Sequence, residues 1–153
     1  MHITDYQPRY QPDFKRINVA WIAKSYVVED VDLEVLDDPD GKIIATGGAI
    51  LLAMEAEEVV GTCALINAAP GVVQLAKMAV DERARGKGIG RLLCLAALER
   101  ARQLHATKVM LYSNTKGSAT AIALYRELGF VQLPLPTQAY ARADIYMELE
   151  LRN

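Results

Sequence analysis

The chain has 153 residues, of which 52% are hydrophobic and 24% are charged, and its formal net charge is −2. This length suits one domain that buries about two thirds of its unfolded surface, so we expect residues 1–153 to form a single domain. The composition excludes a disordered or fibrous protein, and the slightly acidic balance gives no indication of a nucleic-acid partner. The start of the chain lacks the parts of a signal peptide, and no apolar run approaches the ~18 residues that span a membrane, so we expect a cytoplasmic protein without a membrane partner.

The first forty residues predict one strand and two helices. The strand is expected at His2 to Tyr6, and a helix then opens with Pro12 and Asp13, because proline suits the first helical turn. Apolar residues recur through this helix at helical spacing: Phe14, Ile17, Trp21 and Ile22. We interpret Trp21 as a core residue rather than a ligand platform. A second, short helix is predicted from Glu29 to Leu36.

An antiparallel hairpin is predicted after these helices. The sequence Asp38-Pro39-Asp40-Gly41 is a strong turn signal. Beyond it, Gly47 to Met54 and Val59 to Ile66 have the character of two strands joined across four residues.

The next strand is expected to be central in the sheet. After a turn at Asn67 to Gly71, the segment Val72 to Val80 is apolar on both alternating faces except at Gln74 and Lys77. That pattern is typical of a strand that is covered on both sides. We interpret Lys77 as a paired or solvent-reaching strand residue rather than a covalent catalyst.

Three glycines in five residues, Gly86, Gly88 and Gly90, follow a charged loop and open a helix that is predicted from Gly88 to about His105. The first N–H groups of a helix lack intrahelical partners, so such a turn can receive a phosphate or pyrophosphate. A purely conformational use of the glycines remains an alternative. A dinucleotide fingerprint fits less well, because it needs a different glycine spacing and an acidic residue near position 105.

The last third of the chain predicts two or three further strands and one helix. Lys108 to Ser113 is a short buried strand, parallel to the central strand through a right-handed crossover. Ser118 to Leu128 is an amphipathic helix that ends at Gly129. Extended structure resumes at Phe130 to Leu133, and Ile145 to Leu151 alternates as a half-exposed strand.

Two motifs resemble one family. Arg85-Gly86-Lys87-Gly88-Ile89-Gly90 resembles the Gln/Arg-x-x-Gly-x-Gly/Ala signature of the GNAT N-acetyltransferases. The run from Ala121 to Phe130 is similar to the same family's Asn-x-x-Ala-x-x-Leu-Tyr-x-x-x-Gly-Phe, with Ser118 at the Asn position. The resemblance implies a mixed, mostly antiparallel sheet of six or seven strands flanked by helices, with acetyl-CoA bound where the central strand and its parallel neighbour part.

The resemblance also implies which residues bind the coenzyme. They are Met78, Val80, Arg85, Gly86, Lys87, Gly88, Ile89, Gly90, Arg91, Asn114 and Ser118. The turn would hold the pyrophosphate, and Asn114 or Ser118 would contact the pantetheine arm; the choice between these two stays open.

The implied reaction is the direct transfer of an acetyl group to an amine, without a metal. The Met78 N–H would stabilise the oxyanion, and Tyr125 would protonate the leaving thiolate, since a phenol of pKa near 10 is suited to that task. Periodicity alone favours a core tyrosine at position 125, and the resemblance of the surrounding motif favours the catalytic role instead. Gln74 stands where some members have a glutamate base, and an amide cannot accept the proton, so the base is unassigned. A water relay, an acid from the first half and binding of the neutral amine remain alternatives.

Two further patterns bear on function. Cys63 and Cys94 lie in apolar segments and are interpreted as buried free thiols. Seven acids and no Lys or Arg lie between Glu29 and Asp40; since the chain is −2 and this segment is −7, the remainder is +5. This polarity suits a cationic amine acceptor, although a solvated helix face is an equally simple explanation.

We therefore predict an N-acetyltransferase that acts on a primary amine of a small molecule or peptide, and the sequence does not decide between a monomer and a homodimer. An acyl-CoA-binding module without turnover and a nucleotide-phosphate-binding domain are the alternatives.

Overall fold

One seven-stranded sheet, with strand order β1-β2-β3-β4-β5-β7-β6, organises the described part of the chain. The structure is a computed structural model that describes residues 1–136 and 142–152. Its strands are β1 (His2–Asp5), β2 (Ala49–Glu55), β3 (Glu58–Ala69), β4 (Val72–Val80), β5 (Lys108–Ser113), β6 (Val131–Leu133) and β7 (Ile145–Glu150). Its α-helices are α1 (Gln11–Ala23), α2 (Asp30–Asp37), α3 (Ile89–Gln103) and α4 (Ala119–Glu127). The predicted class, a mixed and mostly antiparallel sheet flanked by helices, is confirmed.

The sheet consists of an antiparallel meander and a second antiparallel group that meet at one short parallel contact. Strands β1 to β4 pair antiparallel in sequence order, and β7 pairs antiparallel with both β5 and β6. Between the two groups, β4 and β5 pair parallel over three residue pairs, from Val72 with Lys108 to Gln74 with Met110. The predicted crossover through α3 is therefore correct.

The two faces of the sheet bury separate hydrophobic clusters. Helices α3 and α4 contribute Leu93, Ala97 and Ile122 to one cluster, which also contains Cys63 and Cys94 as free, buried thiols. The other cluster packs residues of α1 and α2 against the opposite face of β2 and β3; its fully buried members include Phe14, Leu36, Ile43 and Leu52. β4 is the middle strand of the seven. Helices cover both faces of the sheet, as the apolar pattern of β4 predicts.

The segment that follows α2 differs from the prediction. The expected turn begins at Asp38, whose side chain accepts a hydrogen bond from the Gly41 N–H at 3.0 Å. The chain then continues as a single π-helical turn, Asp40–Ile44, and β2 starts at Ala49 rather than at Gly47. The side chain of Ile43 is fully buried, and its burial explains why the apolar residues after the turn coil inward before the strand begins.

The hairpin and helix ends also differ slightly from the prediction. Strand β3 runs to Ala69, three residues beyond the predicted end, so the turn before β4 is shorter than expected.

Within the described residues, no helix combines the length and the apolar character needed to cross a membrane.

Candidate active-site cleft

A cleft opens where β4 and β5 stop pairing. The parallel ladder ends at Gln74 and Met110. Beyond that point, the residues Leu75 to Met78 line one wall of the cleft and Tyr112 to Asn114 line the other. Helices α1 and α4 cover it with side chains that include Trp21, Ile22, Ala121 and Tyr125. The edge of β4 that faces β5 therefore has no strand partner along the cleft.

A β-bulge in β4 shapes the wall that contains Met78. Across from β3, Ala79 pairs with Thr62 and Ala76 pairs with Ala64, so two residues, Lys77 and Met78, stand opposite Cys63 alone. Lys77 has a φ of +53°, which is uncommon for a residue with a side chain. A bulge of this kind re-aims the backbone and side chains next to it.

Buried side chains hold the bulge in place. The Thr62 hydroxyl donates a 2.7 Å hydrogen bond to the Lys77 carbonyl oxygen. The Asn18 amide on α1 donates to the Thr62 oxygen at 3.0 Å and to the Phe14 carbonyl at 2.9 Å. Asn18 and Thr62 are 2% and 0% exposed, so these bonds form without competition from bulk water.

The glycine turn, residues 86–91, leads into α3. Gly86 and Gly88 have φ values of +80° and +75°, which only glycine adopts without strain. A Cβ added to Gly86, Gly88 or Gly90 would meet no other atom within 4 Å. Packing within the described residues therefore gives no reason for Gly90, whose φ is ordinary, to be glycine. Open space beside a glycine in the first turn of a helix suits the close approach of a ligand.

The N–H groups of the glycine turn have no hydrogen-bond acceptor among residues 1–136 and 142–152. The first hydrogen bond into this region runs from the Leu92 N–H to the Gly88 carbonyl at 3.2 Å. Gly88 is the N-cap of α3, and no side chain caps it. Unpaired N–H groups at a helix start carry partial positive charge, which favours an anion.

Basic side chains surround the glycine turn. The Arg85 guanidinium lies 5.2 Å from the centre of the Trp21 ring, which places the turn beside the cleft that Trp21 lines. Lys87 and Arg91 form exposed ion pairs with Glu55 and Glu127 at 3.1 and 2.8 Å. Exposed pairs contribute little stability, so both cations can turn toward a bound anion at small cost.

Trp21 is half-buried and has two roles in the packing. One part of the side chain packs against the α1–α2 cluster, as the core interpretation predicts, while another part borders the cleft.

Tyr125 lies on α4, 6% exposed, with its ring 5.7 Å from that of Phe130. The side chain borders the cleft, and no hydrogen bond to its hydroxyl is formed by the described residues. Burial raises the pKa of Tyr125 well above its usual value, with a smaller contribution from the nearby Cys94 and Cys63. The phenol therefore keeps its proton throughout the neutral range.

Asn114 and Ser118 lie together on the β5 side of the cleft. The Ser118 hydroxyl donates to the Asn114 side-chain oxygen at 3.4 Å, and the same oxygen accepts the Gly117 N–H at 3.0 Å. Both residues line the cleft. Val80, by contrast, pairs with Gly61 at the end of β4, beyond the residues that line it.

A buried ionic cluster, which the sequence did not predict, lies behind the cleft wall. The Arg142 guanidinium contacts Asp32 at 2.7 and 3.0 Å and Glu29 at 3.0 Å, and the Lys77 ammonium lies 3.4 Å from Asp32. Asp32 is fully buried, and it also accepts the Glu29 N–H at 2.9 Å at the start of α2. We call Glu29, Asp32, Lys77 and Arg142 the Asp32 cluster.

Burial acts to raise the pKa of Asp32, but the hydrogen bonds from Arg142 and from the Glu29 N–H, together with the charge of Lys77, outweigh it and lower the pKa. Asp32 is therefore a charged structural residue. Two of the seven acids between Glu29 and Asp40, namely Glu29 and Asp32, form ion pairs with Arg142. The ion pair of Lys77 agrees with its interpretation as a paired strand residue. The signal for Asp32 was its place three residues after Glu29, which forms a reciprocal cap with it; nothing in the sequence pointed to Arg142.

The cleft lining contains Lys77 and Arg142 but no Asp or Glu within the described residues. Gln74 lies in the lining, at the last pair of the parallel ladder. Those same residues contain no group of three or more His, Cys, Asp or Glu side chains that could hold a metal ion.

A sheet that divides between β4 and β5, with unpaired N–H groups at a helix start beside the division, characterises a class of folds that comparison with known proteins identifies. The model of the Acetyltransferase (GNAT) family matches residues 8–130. The chain belongs to the GNAT family.

Individual proteins agree with that assignment. The chain is 30% identical over 102 residues to an uncharacterized N-acetyltransferase, YvbK, of Bacillus subtilis, a match that covers 65% of each protein. A GNAT-family acetyltransferase structure from Staphylococcus aureus has a TM-score of 0.89 at 19% identity over 99% of both chains. An acetyltransferase structure from Bacillus subtilis in complex with CoA has a TM-score of 0.75 at 19% identity, again over 99% of both chains. At these identities the structural likeness establishes the fold.

Proposed function

We propose that the protein transfers the acetyl group of acetyl-CoA directly to a primary amine of a small molecule or peptide. The observation that carries the proposal is the run of unpaired N–H groups at residues 86–91, beside the cleft between β4 and β5. Acetyl-CoA would supply an activated thioester and an anionic pyrophosphate. The turn offers the backbone donors, positive helix end and open space that a pyrophosphate requires.

The chain's own residues have distinct roles in this proposal. Residues Arg85 to Arg91 hold the pyrophosphate, and Asn114 or Ser118 orients the pantetheine arm from the β5 wall. The Met78 N–H, at the unpaired edge of β4, stabilises the negative charge that develops on the acetyl oxygen. Tyr125, whose phenol is protonated at neutral pH, gives its proton to the departing thiolate.

The base is the least usual part of the proposed site. The amide of Gln74 cannot accept a proton, and the lining described above contains no carboxylate. We propose that the acceptor binds as the neutral amine. The logarithm of kcat/KM should then rise with slope near one until the pH reaches the pKa of the acceptor amine itself. Two acceptors of different amine pKa should shift this limit by the difference; a limit that is common to both would instead reveal a base on the protein.

A non-catalytic acyl-CoA-binding function is the second candidate, and Gln74 together with the absence of a carboxylate from the described cleft lining favours it. Release of free thiol from acetyl-CoA, measured by absorbance with a panel of amines, separates the candidates. Amine-dependent release supports the transferase. Binding of acetyl-CoA by calorimetry without release supports the binding module, and tighter binding of ATP or NAD than of CoA would contradict both.

A further inference from the structure

The hydrogen bond from Thr62 determines the direction of a catalytic N–H. The Lys77 carbonyl and the Met78 N–H belong to one peptide group, which is planar and trans, so the carbonyl oxygen and the N–H point in opposite directions. The Thr62 hydroxyl holds that carbonyl from the β3 side of β4 at 2.7 Å. The Met78 N–H must therefore point away from the Thr62 hydroxyl, and Met78 itself lies in the lining of the cleft.

This peptide group needs such a restraint. Lys77 has a φ of +53°, a strained conformation for a residue with a side chain, which persists only where the surroundings impose it. At the bulge the regular register with β3 is interrupted, so the peptide plane between Lys77 and Met78 departs from the regular strand pattern. A reversed peptide would direct the Lys77 carbonyl oxygen, rather than an N–H donor, into the cleft.

The donor itself is also fixed. A hydroxyl rotates freely, but the Thr62 oxygen accepts the Asn18 amide at 3.0 Å, which leaves the hydroxyl hydrogen for the Lys77 carbonyl. Asn18 is in turn fixed by its second bond, to Phe14 of its own helix. A chain of hydrogen bonds thus connects α1 through β3 to the bulge, entirely inside the protein.

We infer that Thr62, supported by Asn18, is a positioning residue that aims the Met78 N–H into the cleft. The inference rests on the role proposed above for that N–H. It adds a residue that touches neither coenzyme nor acceptor and acts through the peptide group between Lys77 and Met78.

Thr62→Val tests the inference, because valine has nearly the shape of threonine but lacks the hydroxyl. We expect kcat to fall about 10²-fold, the lower end of the loss on removing an oxyanion donor, while KM for acetyl-CoA stays within about threefold. Thr62→Ser keeps the hydroxyl and should retain kcat to within about threefold. Val59→Ala, in the same strand and cluster, controls for the loss of stability and should leave kcat unchanged at temperatures where all variants are folded.

A second measurement does not depend on turnover. The chain has five methionines, so ¹⁵N-methionine labelling gives a simple spectrum in which Met78→Leu identifies the Met78 amide. Acetyl-CoA should shift this amide in the wild type and in Thr62→Ser, and the response should be lost in Thr62→Val. If no amine is acetylated, the proposed function fails while this spectrum still decides the inference. An unaltered Met78 response in Thr62→Val, or a kcat within about threefold of the wild type, would overturn it.

Discussion

The glycine turn and the bulge both lie beside the cleft, but their polar groups differ in hydrogen bonding: those of the turn are unpaired within the described chain, and those of the bulge are paired. At the turn, the N–H groups of residues 86–91 have no acceptor within the described chain, and the surrounding cations are exposed. At the bulge, the Lys77 carbonyl, Thr62 and Asn18 bond to one another in the interior. The same contrast holds for charge, since Asp32 is fully buried and paired with Arg142.

From this difference we expect coenzyme binding and the positioning of the reacting atoms to depend on different parts of the site. On the proposed function, groups that are unsatisfied in the protein alone would gain their partners from the coenzyme, so changes at the turn should affect coenzyme affinity more than stability. Groups that are already satisfied would hold the reacting atoms in position, so changes at the bulge and in the Asp32 cluster should affect rate or stability and leave coenzyme affinity intact. The following predictions test this division.

The largest effect is expected at the turn. Gly88→Glu places a bulky anion in the space proposed for the pyrophosphate and should abolish coenzyme A binding, measured by calorimetry. Gly71→Glu controls for backbone strain, because Gly71 is exposed and has a similar φ of +73°; its added Cβ would in addition meet the Thr107 hydroxyl at 3.1 Å, so its effect on stability sets an upper limit for Gly88→Glu. Equal affinity in wild type and Gly88→Glu, with circular dichroism unchanged, would contradict the role of the turn.

Tyr125→Phe should lower kcat by about 10²–10⁴-fold, because it removes only the proposed proton donor, and should leave acetyl-CoA affinity nearly unchanged. Tyr112→Phe, which removes another hydroxyl from the cleft lining, serves as the control. Because burial raises the pKa of Tyr125 well above 10, its ionisation should cause no loss of activity as the pH rises to 9. A kcat within about threefold of wild type would mean that Tyr125 only packs.

Asp32→Asn should lower the free energy of unfolding by about 3 kcal/mol, since it leaves Arg142 and Lys77 without their shared carboxylate. The folded-state pKa of Asp32 is lowered, so its contribution is present above the unfolded pKa near 4 and is lost as the pH falls through the folded value. The stability difference between wild type and variant should be constant from about pH 5 to 8 and shrink below pH 4. Urea denaturation measures it, and Asp30→Asn, an exposed neighbour, should change stability by less than ~0.5 kcal/mol. A difference that persists unchanged at pH 2 would contradict this account.

The smallest effect concerns the acceptor. The charge hypothesis now rests on the exposed acids of α2 rather than on Glu29 and Asp32, which are paired with Arg142. If they attract a cationic acceptor, Asp30→Asn with Glu34→Gln should lower kcat/KM for a polyamine relative to a neutral amine by about two- to threefold, and added salt should remove the difference. An unchanged ratio would leave these acids as a solvated helix face.

Much of the fold and of the candidate site was predictable from the sequence, because it depends on local signals. The apolar run of β4, the three glycines and the periodicity of α3 lie within one segment, and each is read from neighbouring residues. The parallel placement of β5 follows from the strand-helix-strand order of β4, α3 and β5. The family motifs place Tyr125 and Ser118 beside the same cleft, where the structure also has them.

The parts that sequence did not predict depend on contacts between distant residues. Lys77 gives no sign that its φ is positive, and the side chains that contact the bulge, Thr62 and Asn18, lie on other elements. The spacing of Asp32 from Glu29 indicates a helix cap, but nothing local indicates its ion pair with Arg142, 110 residues away. The π-helical turn at Asp40–Ile44 likewise follows from burial of Ile43 rather than from a local propensity.

The short contact between β4 and β5 has a mechanical consequence. Within the described chain, the two halves of the sheet pair over only three residue pairs, Val72 with Lys108 to Gln74 with Met110, next to the hydrogen bonds from Thr107 and Lys108 to the Gly71 carbonyl. A coenzyme bound in the cleft would contact both β4 and β5 and would therefore stabilise the association of the two halves of the sheet. At a concentration 100 times its Kd, such a ligand adds about 2.7 kcal/mol to the free energy of unfolding. The lifetime of the folded protein would then follow the supply of its coenzyme.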